Sequence, residues 1–324
     1  MSTGLALLSG SALLAGIAGV FWMTGLVVVA ALAIVLWNQA ASFRLTPKPE
    51  WKQALHRSDI VSGILFGLVG LIAWLWATTP PTFYDELAYH LVIPERTLAT
   101  NSLPTYPWVF FTLMPHASDI WLAWGMFFAG SLGARAMHWG IWIACFIAAW
   151  SLVDRLSPEQ NRHLGLPFLL LALAGSSTWW WLGTLSFAET GLTFFILSAI
   201  VVLSQSPQAP RSFIPLGLAL GMTGSVKLSG LGWAAALLAA ALVLRWPWKR
   251  LLGAGVVMTL FMAPWWIRAY LVTGDPVYPL AYKLFQTPLW NDQSQALLSG
   301  DLHPTAQNLG FWGTFQLPLD LLLH

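Results

Sequence analysis

Long apolar runs, separated by short charged or proline-rich stretches, make up most of this chain. Residues 5–37 carry no charge, and further apolar stretches lie at 60–77, 117–130, 136–153, 164–182, 187–204, 213–225, 228–244 and 251–270. A helix that crosses the hydrocarbon layer needs about 20 such residues. The pattern therefore predicts an all-α polytopic transmembrane bundle of about eight or nine membrane segments. The 5–37 run is too long for the apolar core of a signal peptide and lacks a basic start. It reads as one long tilted span or as a tight hairpin broken between Gly16 and Gly25. Residues 117–130 make only about 21 Å of helix, short of a hydrocarbon core of about 30 Å. They are expected to form a half-span or re-entrant piece, since a full span there would invert every later segment.

The polar positions between these runs orient the chain. Arg44, Lys48, Lys52 and Arg57 precede the run at 60–77, Arg155 and Arg162 lie in the loop 154–163, and Arg245, Lys249 and Arg250 surround two tryptophans and a proline. Excess Lys and Arg marks the cytoplasmic side. Counting back from these loops puts Asp85, Glu189, Lys227 and the segment 271–295 on the outer side. Residues 78–118 form a large first outer loop, longer than an ordinary connection. Its aromatic content argues against disorder. Within it residues 83–99 are expected to form a short helix on the membrane surface, bent at Pro94, with Glu86 and His90 sharing a face.

Composition sharpens this picture. Of the residues, 57% are hydrophobic and 9% charged, against about 25% charged in soluble domains. The net charge is +2 and the basic residues form no stripe, so the footprint of a nucleic-acid binder is missing. Cys145 is the only cysteine, which excludes an intrachain disulfide. Many of the 21 tryptophans are expected at the two interfaces.

In so apolar a chain, ionisable groups at segment ends are the candidates for chemistry. The stretch Tyr84-Asp85-Glu86-Leu87-Ala88-Tyr89-His90-Leu91 carries two adjacent acids. A carboxylate there has two uses. It can deprotonate a hydroxyl or amine acceptor, or it can hold a cation against a phosphate leaving group. The plain alternative is a solvated acidic loop. Glu189 opens an apolar stretch, where a helix N-terminus alone also favours an acid. Lys227 lies in Gly-Met-Thr-Gly-Ser-Val-Lys-Leu-Ser-Gly (221–230). It can meet a phosphate as a point charge or simply snorkel to the interface. Arg268, in Pro-Trp-Trp-Ile-Arg, stands at the outer end of a span against the positive-inside trend, and guanidinium suits a phosphate or a carboxylate. His116 and Asp119, with His90 and Glu86, supply enough side chains for a metal but no tight ligand motif. The more frequent role of such residues is that of satisfied interfacial polar groups, and His138 and His163 read as ordinary interfacial or loop residues. No glycine-rich phosphate loop or nucleophile elbow is present.

The order of these features resembles the GT-C superfamily of multispan glycosyltransferases, in particular the bacterial aminoarabinose transferase and protein O-mannosyltransferase group. The resemblance runs over about residues 60–320. It rests on Tyr-Asp-Glu-Leu-Ala-Tyr-His-Leu (84–91), Pro115-His116, Glu189, Gly-x-x-Gly-Ser-x-Lys-x-Ser-Gly (221–230), and Pro-Trp-Trp-Ile-Arg (264–268) followed by Thr-Gly-Asp-Pro-Val-Tyr-Pro (273–279). It implies a GT-C-like bundle in the bacterial cytoplasmic (inner) membrane with its active site facing outward. A sugar would move, with inversion, from a polyprenyl-phosphate donor to an acceptor whose identity stays open. By position Asp85 matches the catalytic acid and Glu86 its acidic neighbour. Lys227 and Arg268 match basic positions that face the lipid phosphate. Glu189, His90, Tyr89, His116, Asp275 and Tyr278 are further candidates for substrate or metal contacts. The resemblance implies no certain cofactor, and it leaves the participation of a divalent cation open. The chain departs from the pattern at its second acidic site, where Glu189 stands in place of the Asp that many relatives carry, at Ala269, where relatives often carry Asn, and at Asp275, where Asn is usual. Relatives also run past 324 residues, so the chain is expected to be a single transmembrane domain lacking a C-terminal part. The rival readings are a lipid or solute transporter and a non-catalytic truncated relative. A transporter predicts ionisable groups strung along a midplane path.

Overall fold

The computed structural model describes residues 57–158, 162–204 and 212–302. The run 5–37, the basic residues Arg44, Lys48 and Lys52, and residues 303–324 lie outside the described residues. All the regular secondary structure of the described residues is helical, with no strand. They divide after Ile267 into two compact units.

The first unit begins with α1 (Arg57–Ala77), an apolar helix followed by the first loop. Inside the loop a π-helical turn (Glu86–His90) leads into α2 (Val92–Thr100), and a 3₁₀ turn covers Phe110–Leu113. Most of the stretch expected to be helical, 83–99, is helical, but it is divided at Leu91, and Glu86, Tyr89 and His90 are buried. Pro94 does not bend it. It sits in the first turn of α2, where the missing N–H has no intrahelical partner to lose.

Helix α3 (Ala117–Leu156) is two arms joined at a break. Ala129 has φ −148° and Gly130 has φ 59° and ψ −150°, a conformation open in practice only to glycine. The chain reverses there. A Cβ on Gly125 would stand 2.2 Å from the Gly133 carbonyl oxygen, although eight residues of straight helix span about 12 Å. The first arm contributes Trp121 and Trp124 to the core, and the second contributes Trp142. These rings are fully buried, so part of the tryptophan content expected at interfaces fills the interior instead. Trp76, Trp108 and Trp248 remain exposed.

Next, α4 (Arg162–Ala174) and α5 (Ser177–Thr184) meet at an 82° bend where one uninterrupted stretch is expected. Gly175 ends the first helix, and the Ser176 hydroxyl caps the second by accepting the Trp179 N–H. Three shorter apolar helices follow: α6 (Ala188–Leu203), α7 (Phe213–Val226) and α8 (Gly230–Val243). Last is α9 (Trp248–Thr273), whose backbone at Ala254 and Met258 comes close to Gly217 and Gly221 of α7 because neither glycine carries a side chain.

Among the described residues three helices, α1, α3 and α9, are long and apolar enough to cross a membrane, and the bent α4–α5 pair would make a fourth if it is a single span. These lengths and compositions are those of an integral membrane protein. Fewer segments have spanning length than the eight or nine expected, because α6, α7 and α8 have 16, 14 and 14 residues. In addition, 117–130 is only one arm of α3, and 5–37 is outside the described residues.

The second unit starts inside α9 at Arg268 and adds α10 (Tyr282–Phe285) and α11 (Asp292–Leu302). Its turn after Thr273 closes on Asp275, which is fully buried.

Candidate functional site

The two adjacent acids of the first loop part company. Glu86 is fully buried, while Asp85, which opens the π turn, is half-buried. The turn is closed by a bond from the Leu91 N–H to the Glu86 carbonyl, 3.0 Å. Such i to i+5 turns recur at functional sites. The Glu86 side chain points into the protein. Its Oε1 accepts the Ser186 N–H at 2.9 Å and lies 3.7 Å from Arg135 Nε. Arg135, near the start of the second arm of α3, also donates to the Thr184 carbonyl at 3.3 Å. Glu86 thereby ties the first loop to the α5–α6 connection and to α3. Burying a lone carboxylate would be costly, and the guanidinium offsets that cost.

His90 is buried too, and its Nδ1 is 2.8 Å from Asp119 Oδ1 in the first turn of α3. Glu86 and His90 therefore hold the two ends of the π turn on two different arms of one helix. Between them Tyr89 stacks on Phe111 with ring centroids 4.0 Å apart. Burial pushes the Tyr89 hydroxyl well above the usual phenol range, and the carboxylates of Asp85, Glu189 and Asp119 push it further. Those three acids are thus within electrostatic reach of one phenol.

Glu189, in the first turn of α6, forms an ion pair with Lys227 at the end of α7. Both side chains are about half-exposed, at 44% and 43%. His90 also acts electrostatically on Glu189. Asp85, Glu86, Tyr89, His90, Glu189 and Lys227, all nominated by the sequence, are therefore gathered at one end of the first unit's helices. His116 precedes α3 at the same end. Its Nδ1 donates to the Met114 carbonyl at 2.7 Å, and its ring packs on Trp265.

The nominated metal set does not converge. Glu86 is spent on Ser186 and Arg135, and His90 and Asp119 are spent on each other. Among the described residues no group of three or more His, Cys, Asp or Glu side chains is placed to hold a metal ion.

Arg268, Asp275 and Tyr278 belong to the second unit. Arg268 is buried near the end of α9. Both carboxylate oxygens of Asp275 are used within its own turn: Oδ1 accepts the Val277 N–H at 2.9 Å and Oδ2 the Ala281 N–H at 3.2 Å. The Tyr278 hydroxyl donates to the Leu289 carbonyl at 3.1 Å, and burial followed by the charge of Asp275 pushes it up to about 12. Asp275 is thus used in forming its turn, and Tyr278 in bonding Leu289 and packing on Trp290.

Sequence reading misses Arg135, Ser186 and Thr184. The signal for Arg135 is present, since it is the only Asp, Glu, Lys or Arg between Asp119 and Asp154. Ser186 and Thr184 act through backbone atoms, which no side-chain pattern marks. His138, read as interfacial, is buried with its Nε2 2.9 Å from the Thr190 hydroxyl. No family model, curated protein or solved structure matches the chain.

Proposed function

We propose that the protein is a membrane glycosyltransferase of the GT-C type. It moves a sugar from a polyprenyl-phosphate donor to an acceptor on the outer face of the bacterial cytoplasmic membrane, with inversion. Asp85 takes the proton of the acceptor hydroxyl or amine as that atom attacks the anomeric carbon. The bond from that carbon to the phosphate oxygen breaks, and its electron pair leaves with the phosphate. Lys227 offsets the charge that develops there. For Arg268 the support is the resemblance alone.

The observation that carries this reading is the gathering of ionisable groups at one end of the first unit, with Asp85 at its accessible edge. Arg250, in the first turn of α9, donates to the Ser212 hydroxyl at the other end of α7. The fourteen residues of α7 put that end about 21 Å from Lys227. An acidic cluster facing away from a basic turn suits chemistry on a lipid phosphate at one interface. A transport path would instead string such groups through the middle. Glu86, buried on Arg135, serves here as a positioning residue beside the base.

Native mass spectrometry of protein released gently from membranes tests the donor assignment. A bound polyprenyl-phosphate species that is lost in Lys227→Ala is expected, and no such lipid on folded protein would count against it. The base is tested separately: Asp85→Asn should retain the lipid and abolish transfer. Full transfer by Asp85→Asn would end its assignment.

A further inference from the structure

In the structure Lys227 already has an anionic partner. Its ammonium is paired with Glu189 Oε1, and both side chains are about half-exposed, so the pair stands at the surface of the cluster and not within the core. The carboxylate of Glu189 thus occupies a position on the lysine that a phosphate oxygen would take. The neighbourhood of Glu189 is itself acidic, since Asp85, Asp119 and Glu189 all act on Tyr89, and His90 and Lys227 are the cationic or ionisable bases near it. An incoming anion meets one cation and several carboxylates. It cannot profit from Lys227 without loosening the hold of Glu189, because an ammonium already neutralised by one carboxylate attracts a second anion weakly.

We infer that Glu189 is an internal competitor for Lys227, and that an alkyl or polyprenyl phosphate binds by exchange, displacing Glu189 from the lysine. This rests on reading Lys227 as a phosphate-binding residue, and it assigns Glu189 a role opposite to that of a substrate contact. Exchange has two consequences. The empty site stays paired and does not collect other anions at the interface. Occupation of the site frees a carboxylate within electrostatic reach of Tyr89.

The test is the binding of dodecyl phosphate to the full chain in detergent, for the wild type, Glu189→Gln, Glu189→Ala and Lys227→Ala. Removing the competitor should tighten binding about two- to fivefold, the factor that a half-exposed ion pair withholds, and Lys227→Ala should lose binding. Equal or weaker binding by both Glu189 variants, with binding still lost in Lys227→Ala, would overturn exchange and leave Lys227 as the phosphate residue. Binding unaffected by Lys227→Ala would overturn the lysine assignment itself, and exchange with it. A readout on the wild type guards against misfolded variants. Carbodiimide modification of Glu189, followed by peptide mass spectrometry, should rise as dodecyl phosphate is added. Unchanged modification at saturating dodecyl phosphate would overturn the proposal.

Discussion

At the scale of single residues, Asp85 and Glu86 are chemically alike and one position apart, yet one is half-exposed and the other fully buried. Their charge is legible in the sequence. Their division is not, because it depends on Arg135 and the Ser186 N–H, which lie 49 and 100 positions along the chain. The buried pair makes a sharp expectation. Arg135→Ala leaves the Glu86 carboxylate buried without its counter-charge, a loss of about 3–5 kcal/mol, and the apparent Tm in detergent should fall steeply. Adding Glu86→Gln to that variant should recover part of the loss, since an amide oxygen still accepts the Ser186 N–H without carrying charge. No recovery would mean that the damage comes from lost packing and not from a bare charge. Tyr89 makes a pH-dependent expectation. Its hydroxyl is raised, by burial first and then by the acids around it, above the value of about 10 that it has in an unfolded chain. The folded form therefore holds the proton longer than the unfolded one. The stability it contributes is fully present below about pH 10 and is lost as the pH rises beyond that. Tyr89→Phe should flatten the alkaline fall in Tm, and an unchanged alkaline limb would remove Tyr89 as its source.

At the scale of elements, apolar periodicity locates α1, α6, α7, α8 and α9 to within a few residues, because each is an uninterrupted run bounded by charge, proline or glycine. The two breaks are harder to see. The stretch 164–182 reads as one segment, although Gly175-Ser176 is a helix stop followed by a cap. The stretch 117–130 is marked as too short to span, but length alone does not say where its chain goes. The structure puts the reversal at Ala129–Gly130 and presses Gly125 against Gly133. Arg135, five residues past the reversal, then reaches Glu86. The hairpin depends on the absence of side chains at the crossing. A methyl group on Gly133 would stand 2.1 Å from the Gly125 carbonyl oxygen. Gly133→Ala should therefore cost about 1–3 kcal/mol or more through overpacking. Gly130→Ala meets no atom within 4 Å but must adopt a backbone conformation that costs about 1–3 kcal/mol. Thermal unfolding of the two variants should show destabilisation in both. An unperturbed Gly133→Ala would mean that the arms are not held in contact.

At the scale of the whole molecule, the apolar composition and the small number of charges are enough to mark a helical membrane protein. The arrangement of the site is only partly legible in the sequence, because it joins five separate stretches of the chain through contacts between unlike partners. The first unit nevertheless has two chemically distinct ends that the sequence announces, an acidic end at the first loop and a basic end at 245–250. If that polarity reflects a membrane, the two ends face different compartments. Cys145 is the only cysteine and is buried, so it contributes little background labelling and can be replaced by Ala. In that background, Tyr84→Cys and Trp248→Cys introduce thiols at positions that are 75% and 67% exposed, one at each end. A membrane-impermeant maleimide applied to intact cells should label the Tyr84→Cys protein and spare the Trp248→Cys protein until the membrane is opened. The reverse pattern would keep the two-ended architecture but turn the candidate site toward the cytoplasm, where a donor presented on the outer leaflet could not reach it. Equal labelling of both in intact cells would deny that the polarity of the first unit is a transmembrane one. The assignment of Asp85 as a base at the outer interface would then lose its physical ground, whatever its effect on activity.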